Sequence, residues 1–441
     1  MLTELSLKNF KAFESLPHLE LKPITVFLGP NNSGKSSILS ALRILTQTVE
    51  SYDSGVSLLM NGIMGDFGTY KDLVHHNNSA THLELSFSFK RKEPPKISGL
   101  TSDDELSVNL KYKYRSSLHE IVLKGIEIKK NSKLLMTTEY SEDSERQIVR
   151  SIGGQVIPVS KRSATSQLFE YEKFLPRLIS TLAFREKEDL PIDENDVRLV
   201  SRVGGYAYRE LRAVEYIGAM RVPPSRFYLF SGERRERVGS AGEHAVSIFA
   251  MDSMRKGAKS KNVRTKVVDW LKKAGIASDL KVENLSDRYY EIHVKHPETG
   301  EYQNFADVGY GSSQVVPVLV GGFNLFSGDT YIVEEPEIHL HPKAQAELGD
   351  FFLDLKKRGI QSFIETHSEH LVLRLQQHIA SREIPSSDVA IYYVYAKDGQ
   401  KRVVKMEMDE KARFTKDWPE GFFPQGLDEA TKLARIRNTA R

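Results

Sequence analysis

The sequence predicts an α/β fold with an antiparallel β subdomain and a helical insertion, and three observations carry that prediction. Near the N-terminus an apolar stretch, Ile24-Thr25-Val26-Phe27-Leu28, runs into a glycine-bearing loop and then into helical spacing. Far downstream, Thr330-Tyr331-Ile332-Val333 and Gln361-Ser362-Phe363-Ile364 read as buried strands, each ending in polar residues. Between these ends, from about Leu83 to Glu139, apolar and polar residues alternate at the period of half-buried antiparallel strands.

In chain order, Leu2, Leu5, Leu7 and Phe10 stand against polar neighbours and predict a first strand, and Ile24 to Leu28 predict a second. After Ser36 the apolar residues Ile38, Leu39, Ala41, Leu42 and Leu45 fall at helical spacing. Leu83 to Phe89 and Leu106 to Leu110 alternate as strands. Ser141 to Val214 is less regular and reads as an inserted, mostly helical region. The core resumes near Glu215, with an amphipathic helix over Asn262 to Ala274 and a strand over Tyr289 to Val294. This gives an N-terminal lobe over 1–80, a β subdomain and helical insertion over 81–214, a C-terminal lobe over 215–400 and an extension over 401–441. No repeat of fixed period occurs, and no heptad run is long enough for a coiled-coil arm.

Composition sets wide bounds. At 441 residues the chain holds a large core or two to three domains. Its 62 basic and 59 acidic side chains leave a net charge of +3, so any nucleic-acid contact must come from local patches. With no cysteine, disulfides and cysteine-based zinc sites are excluded. No basic flank precedes an apolar stretch at the start, and no run approaches about 18 apolar residues, so a soluble cytoplasmic protein with no membrane partner is expected.

The chemistry is concentrated in a few segments. Gly29-Pro30-Asn31-Asn32-Ser33-Gly34-Lys35-Ser36 fits G-x-x-x-x-G-K-[ST] between a strand and a helix, the context that gives this pattern meaning. Its glycines let backbone N–H groups turn toward phosphate oxygens, and the helix beginning near Lys35 adds its positive end. Lys35 is expected to reach the β- and γ-phosphates of a nucleotide, and the Ser36 hydroxyl to ligate Mg²⁺. Ile332-Val333-Glu334-Glu335-Pro336 ends an apolar strand with two carboxylates. Such a pair is ordinarily a solvated turn; beside a phosphate loop it suits a metal shell at Glu334 and polarisation of an attacking water at Glu335. In Thr366-His367-Ser368, His367 stands where open α/β sheets place ligands, the alternative being a cap for the next helix. Asp307 to Gln314 forms a Gly/Ser turn opening an apolar helix, by itself a weak anion-binding signal.

The order of these segments resembles an ABC-type ATPase head of the SMC and DNA-repair group. Leu5-Ser6-Leu7-Lys8-Asn9-Phe10-Lys11-Ala12-Phe13 is similar to its opening strand, Gly29 to Ser37 to its Walker A and Gly309 to Gln314 to its signature turn. Ile332 to Pro336 is similar to its Walker B with catalytic glutamate, Glu337-Ile338-His339-Leu340-His341-Pro342 to its D-loop, and His367 to its switch histidine. The form Glu-Glu-Pro-Glu-x-His-Leu-His-Pro resembles the overcoming-lysogenization-defect and Septu-like defence ATPases. The resemblance implies a P-loop ABC-type ATPase head. Asn31, Asn32, Ser33, Gly34, Lys35, Ser36, Ser37 and Lys11 would meet ATP, joined by Gly309, Gly311 and Ser312; Ser36 and Glu334 would hold Mg²⁺; Glu335 and His367 would be catalytic.

Three further segments resemble the same group: Phe67 to His75 in the place of a Q-loop, Tyr216 to Pro224 in the core, and Trp418-Pro419-Glu420-Gly421-Phe422-Phe423 near the end. The Q-loop segment lacks the expected glutamine, for which Gln47 is a weak substitute. About 70 residues follow His367, too few for the Toprim nuclease domain that many relatives carry. The resemblance therefore implies a homodimer closed around ATP, with higher-order assembly left open, and a separately encoded effector such as a nuclease, in antiviral defence. Two other readings stand beside it: a DNA-repair or recombination ATPase acting on DNA directly, and an ATP-binding structural module with little turnover. Arg255, Lys256, Lys259, Lys261, Arg264 and Lys266, with Lys432, Arg435, Arg437 and Arg441, could contact phosphates; few aromatics are interleaved, which favours solvated faces.

Overall fold

The computed structural model describes residues 1–91, 100–179, 192–255 and 261–419. The chain divides into two compact units. One comprises Met1–Lys22, Ser36–Tyr216 and Ser327–Ile332, the other Pro23–Lys35, Ile217–Phe326 and Val333–Arg441.

The first unit is built on an eight-stranded antiparallel sheet. Its order is Gln155–Val156, Arg146–Ile152, Lys133–Ser141, Glu120–Lys130, Leu106–Arg115, Leu83–Phe89, Leu2–Phe10 and Phe13–Glu20. The spacing of Leu2, Leu5, Leu7 and Phe10 is irregular for a strand, and the pairing explains it. Register shifts lie between Leu2 and Glu4 on one side and between Leu5 and Leu7 on the other, so all four still reach the core. The helix Lys35–Val49 contributes Ile38, Leu39, Ala41, Leu42 and Leu45 to the same buried set.

The segment from Ser141 to Val214, expected to be mostly helical, is mixed. Arg146–Ile152 and Gln155–Val156 extend the sheet, and Phe169–Glu172 pairs with Leu175–Leu178 as a hairpin. The helical part is Val159–Thr165 and Glu194–Arg212, the latter started by Asp193, whose side chain accepts from the Asn195 N–H. The strands were hidden because Arg146-Gln147-Ile148-Val149-Arg150-Ser151-Ile152 buries polar Gln147 and Ser151 beside its apolar residues, which blurs the period-two pattern.

In the second unit, Ile24–Leu28 lies between two parallel neighbours, Gln361–Glu365 and Val389–Lys397, and Gln400–Lys405 returns antiparallel to the latter. The central position explains why all five residues of Ile24–Leu28 are buried. Helices Pro342–Lys357 and Glu369–Ala380 pack together, and Val263–Ala274 and Tyr310–Asn324 complete the apolar layer. A smaller sheet joins Asp279–Asn284, Tyr289–Lys295 and Tyr302–Asn304. Carboxyl ends of parallel strands in such sheets face ligands; here those ends are Leu28 and Glu365.

Candidate active site

The loop after Leu28 turns where only glycine fits. Gly29 has φ +143°, and a Cβ there would stand 2.0 Å from the Val394 carbonyl oxygen. Asn31 and Asn32 are exposed at the crown, Asn32 in the left-handed region at φ +59°. Gly34 also has positive φ. The Ser33 N–H closes a turn on the Pro30 carbonyl at 3.3 Å, while its buried hydroxyl has no hydrogen-bond partner among the described residues. Lys35 then opens the helix Lys35–Val49, whose first turn holds no acidic side chain to offset its positive end. Ser36 is exposed there and Ser37 half-buried.

Lys35 is only 3% exposed, and its ammonium donates to the Gly29 and Pro30 carbonyls, each at 2.9 Å. It lies 3.7 Å from Glu365 Oε1. Burial holds its pKa below the ordinary lysine value, opposed by the charges of Glu365, Glu335 and Glu337. Three carboxylate charges thus act on this ammonium, that of Glu365 from within ion-pair distance.

Backbone contacts fix the acidic turn. The strand Thr330–Glu334 ends at Glu334, and Glu335 takes φ +44° while its N–H donates to the Glu365 carbonyl at 2.7 Å. Buried Arg221 donates to the Glu334 carbonyl at 2.7 Å and to the Glu335 carbonyl at 3.2 Å. Both carboxylates are half-buried. Glu337 is buried, and its Oε1 accepts from the His367 N–H at 2.6 Å. Burial pushes its carboxyl above the usual range, tempered by hydrogen bonds that include this one.

Beyond Gln361–Glu365, the Thr366 N–H donates to the Phe27 carbonyl at 3.1 Å, holding His367 near the end of the loop strand. Capping falls to Ser368, whose Oγ accepts from the Leu371 N–H at 3.1 Å and donates to Gln345 at 2.8 Å. The His367 imidazole is therefore not spent on the helix. Its Nε2 is buried with no hydrogen-bond partner among the described residues. Burial first, then the Lys35 charge, depresses its pKa, which favours a neutral ring.

Gly309 precedes the helix Tyr310–Asn324 without a side-chain cap, and the Ser312 N–H returns to its carbonyl at 3.1 Å. A Cβ at Gly311 would lie 2.6 Å from the His339 carbonyl oxygen, so this turn packs directly on the segment following the acidic strand. Tyr310 is 67% exposed, its ring 5.8 Å from that of His339. Lys11 belongs to the other unit. There its N–H donates to the Leu73 carbonyl at 2.6 Å, its carbonyl accepts from His75, and its ammonium sits over the Phe67 ring at 5.3 Å. Burial and the Arg43 charge lower its pKa. Gln47, in the same unit, spends its amide N–H on the Leu59 carbonyl at 2.6 Å and supports that loop.

Three residues of the basic run, Lys261, Arg264 and Lys266, are engaged within the chain. Lys261 donates to the Asn324 carbonyl and side chain and covers the Phe326 ring at 3.7 Å. Arg264 pairs with Asp279 at 2.9 Å, and Lys266 donates to the Lys261 carbonyl at 3.2 Å. These contacts weigh against phosphate binding by those three residues, and they tie the residues into the fold where solvated faces were expected. Lys256, Lys259, Glu420, Gly421, Phe422, Phe423, Lys432, Arg435, Arg437 and Arg441 lie outside the described residues.

Sequence reasoning missed four groups: Glu337 and Glu365 as neighbours of Lys35, Arg221 as the clamp on the acidic turn, and Lys401, whose ammonium donates to the Asn32 carbonyl at 2.7 Å. Glu337 opens the segment read as a D-loop and Glu365 stands two residues before His367, which was a usable signal. Arg221 lay inside a segment noticed only as core, and nothing local marks Lys401.

A strand, a glycine loop and a helix, with the loop lysine facing carboxylates and an imidazole from neighbouring strand ends, define a P-loop nucleotide-binding α/β protein. Residues 1–197 and 251–372 match the AAA ATPase domain family, AAA_15. The chain belongs to that family. Residues 384–433 match a further family of unknown function, DUF3696. Over 95 residues the chain is 32% identical to the DNA replication and repair protein RecF of Bacillus mycoides (strain KBAB4), covering 21% of this chain and 24% of that protein. The chain thus spans about a quarter of the length of that curated relative. Among solved structures it is similar to the SMC head domain from Thermotoga maritima, with TM-score 0.41 and 12% identity over 92% of this chain and 99% of that one. It is also similar to the Smc head domain bound to the C-terminal domain of ScpA derived from Pyrococcus furiosus, with TM-score 0.45 and 13% identity over 99% of each. Both scores are below 0.5, and the class rests on the strand order, the loop and the family match.

Proposed function

We propose that this chain binds and hydrolyses ATP at the Lys35 loop as an ABC/SMC-type ATPase. The observation that carries the reading is the constellation around the Lys35 ammonium: loop carbonyls at 2.9 Å, Glu365 at 3.7 Å, and Glu335, Glu337 and His367 close enough to act on its charge or on one another. A lysine resting on its own loop carbonyls has weak, exchangeable partners, and the triphosphate of ATP is a far stronger one. Asn31, Asn32, Ser33, Gly34, Ser36 and Ser37 supply the loop and helix-start N–H groups, and the unpartnered Ser33 hydroxyl adds a donor.

Glu335 is the candidate base for the attacking water. Neutral His367 can donate or accept at Nε2 beside it. Ser36 and Glu334 offer hard oxygen donors that suit Mg²⁺, which supplies charge neutralisation at the phosphates when bound.

Gly309, Gly311 and Ser312 are read as the signature turn that completes the phosphate site of a second copy, so that ATP closes a homodimer. Exposed Gly309 and Tyr310 support this, and Lys11 is kept as a nucleotide contact on the resemblance alone. The favoured role is regulation of a separately encoded effector such as a nuclease in cytoplasmic antiviral defence. The match to a DNA replication and repair protein favours a second role, direct action on DNA. No helix among the described residues is long and apolar enough to cross a membrane.

Calorimetry with ATP on the native chain and on Lys35→Ala tests the site. Measurable affinity in the first and none in the second is expected; equal affinity removes the assignment. DNA-stimulated turnover would select the second role over the first.

A further inference from the structure

The hairpin Val389–Lys397 and Gln400–Lys405 lies beyond the residues matched to the ATPase domain and inside the 384–433 match to a family of unknown function. It nevertheless meets the strand end before the phosphate loop and then the loop itself at two points. Tyr393 pairs in register with Leu28, the last strand residue before the loop. The Val394 carbonyl lies where a Cβ of Gly29 would be, at 2.0 Å. Lys401 donates to the Asn32 carbonyl at 2.7 Å.

The third contact has a chemical consequence. In a phosphate loop the N–H groups face the anion and the carbonyls face away. Lys35 holds the Gly29 and Pro30 carbonyls, and Lys401 holds that of the left-handed crown residue Asn32. A cation on a carbonyl oxygen fixes the orientation of that peptide and polarises its N–H, here that of Ser33, which rests on the Pro30 carbonyl through a long bond of 3.3 Å that a phosphate oxygen would replace. When substrate phosphate takes Lys35 away from the Gly29 and Pro30 carbonyls, Lys401 still holds the Asn32 carbonyl.

We propose that Lys401 is a positioning residue of the nucleotide site, orienting the Asn32–Ser33 peptide toward phosphate, and that the C-terminal hairpin is through it a working part of the ATP site. The inference rests on the reading of the Lys35 loop as an ATP site and adds a residue and a segment to it. Because coupling is reciprocal, ATP must also steady the hairpin.

The test uses the full chain with Lys401→Met, which keeps the apolar stem, Lys401→Gln, which keeps a neutral donor, and Lys401→Arg, which restores a cationic one. ATP affinity is read by calorimetry, and hydrogen exchange of residues 389–405 is followed with and without ATP. Lys401→Met is expected to bind ATP about threefold to tenfold more weakly, the range for a partly exposed ionic hydrogen bond, and to lose the protection that ATP gives the hairpin. Arginine should restore both and glutamine only part. Should Lys401→Met fail to fold, the glutamine and arginine pair carries the same comparison.

Native affinity and native protection in Lys401→Met and Lys401→Gln would overturn the inference. A lower melting temperature with an unchanged ATP-induced increase would also do so, showing that Lys401 merely holds the hairpin. Native binding with none in Lys35→Ala keeps the ATP reading standing in either case. A native chain that binds no ATP removes that reading and the inference together.

Discussion

Glu335→Gln isolates the chemical step from the binding step, and the structure shows why the substitution is clean. The backbone of Glu335 is held without its side chain, by its own N–H on the Glu365 carbonyl at 2.7 Å and by Arg221 on the carbonyls of residues 334 and 335. Its φ of +44° costs glutamine about what it costs glutamate, so the turn should persist. One negative charge beside Lys35 and His367 disappears. That removes a repulsion toward the triphosphate, and ATP affinity is expected to hold or to tighten a few fold. Hydrolysis should fall steeply, because an amide cannot take the proton of the attacking water. Loss of such assistance costs about 10²–10⁴-fold, roughly 3–5 kcal/mol of barrier. Single-turnover cleavage of ATP measures the loss. Light scattering with and without ATP measures whether uncleaved ATP accumulates a dimer. Cleavage at the native rate would take Glu335 out of the reaction, and a dimer indifferent to ATP would place self-association on another surface.

Gly29→Ala should lower the unfolding free energy by roughly 2–5 kcal/mol in urea denaturation, combining a backbone conformation foreign to alanine with a clash against a strand carbonyl. A loss below about 1 kcal/mol would mean that the loop and Val394 separate freely. For His367, the folded pKa lies below the ordinary 6.5, so the unfolded chain binds the proton first as the pH falls. Stability contributed by the neutral ring is present above 6.5 and is lost as the pH falls through the lowered folded value; His367→Gln should flatten that part of a melting-temperature profile, and an unchanged profile would refute the burial argument. Lys261→Ala should cost about 1–2 kcal/mol of stability through its lost bonds to Asn324 and its contact with Phe326, while leaving the salt dependence of any DNA binding unchanged. A flattened salt slope would return Lys261 to the phosphate-contacting set.

Local pattern revealed what local pattern controls. The strands Ile24–Leu28, Thr330–Glu334 and Gln361–Glu365 stand where the pattern put them, because each is buried along nearly its whole length, and the helix from Lys35 stands where its apolar spacing put it. The helix over Val263–Ala274 and the strand over Tyr289–Lys295 likewise match their patterns. The misses are residues whose importance comes from distant partners. Arg221 reaches carbonyls more than a hundred positions away, and Lys401 reaches the far end of the chain. Neither contact has a periodic trace. Arg146–Ile152 was obscured for another reason: Gln147 is buried because its side chain bonds Thr138 and the Leu123 carbonyl, so polarity there does not mark a surface.

The interleaving of Ile24–Leu28 between Gln361–Glu365 and Val389–Lys397 also bears on how the chain is made. The apolar strand Ile24–Leu28 has neither of its parallel neighbours until about 330 further residues have been synthesised, the nearer of the two beginning at Gln361. At about 5–20 residues per second that interval is on the order of tens of seconds. Throughout it both edges of Ile24–Leu28 remain open to pairing with other chains. Production at lower temperature or with added chaperone should therefore raise the soluble yield of this protein more than that of an α/β domain whose central strands are consecutive.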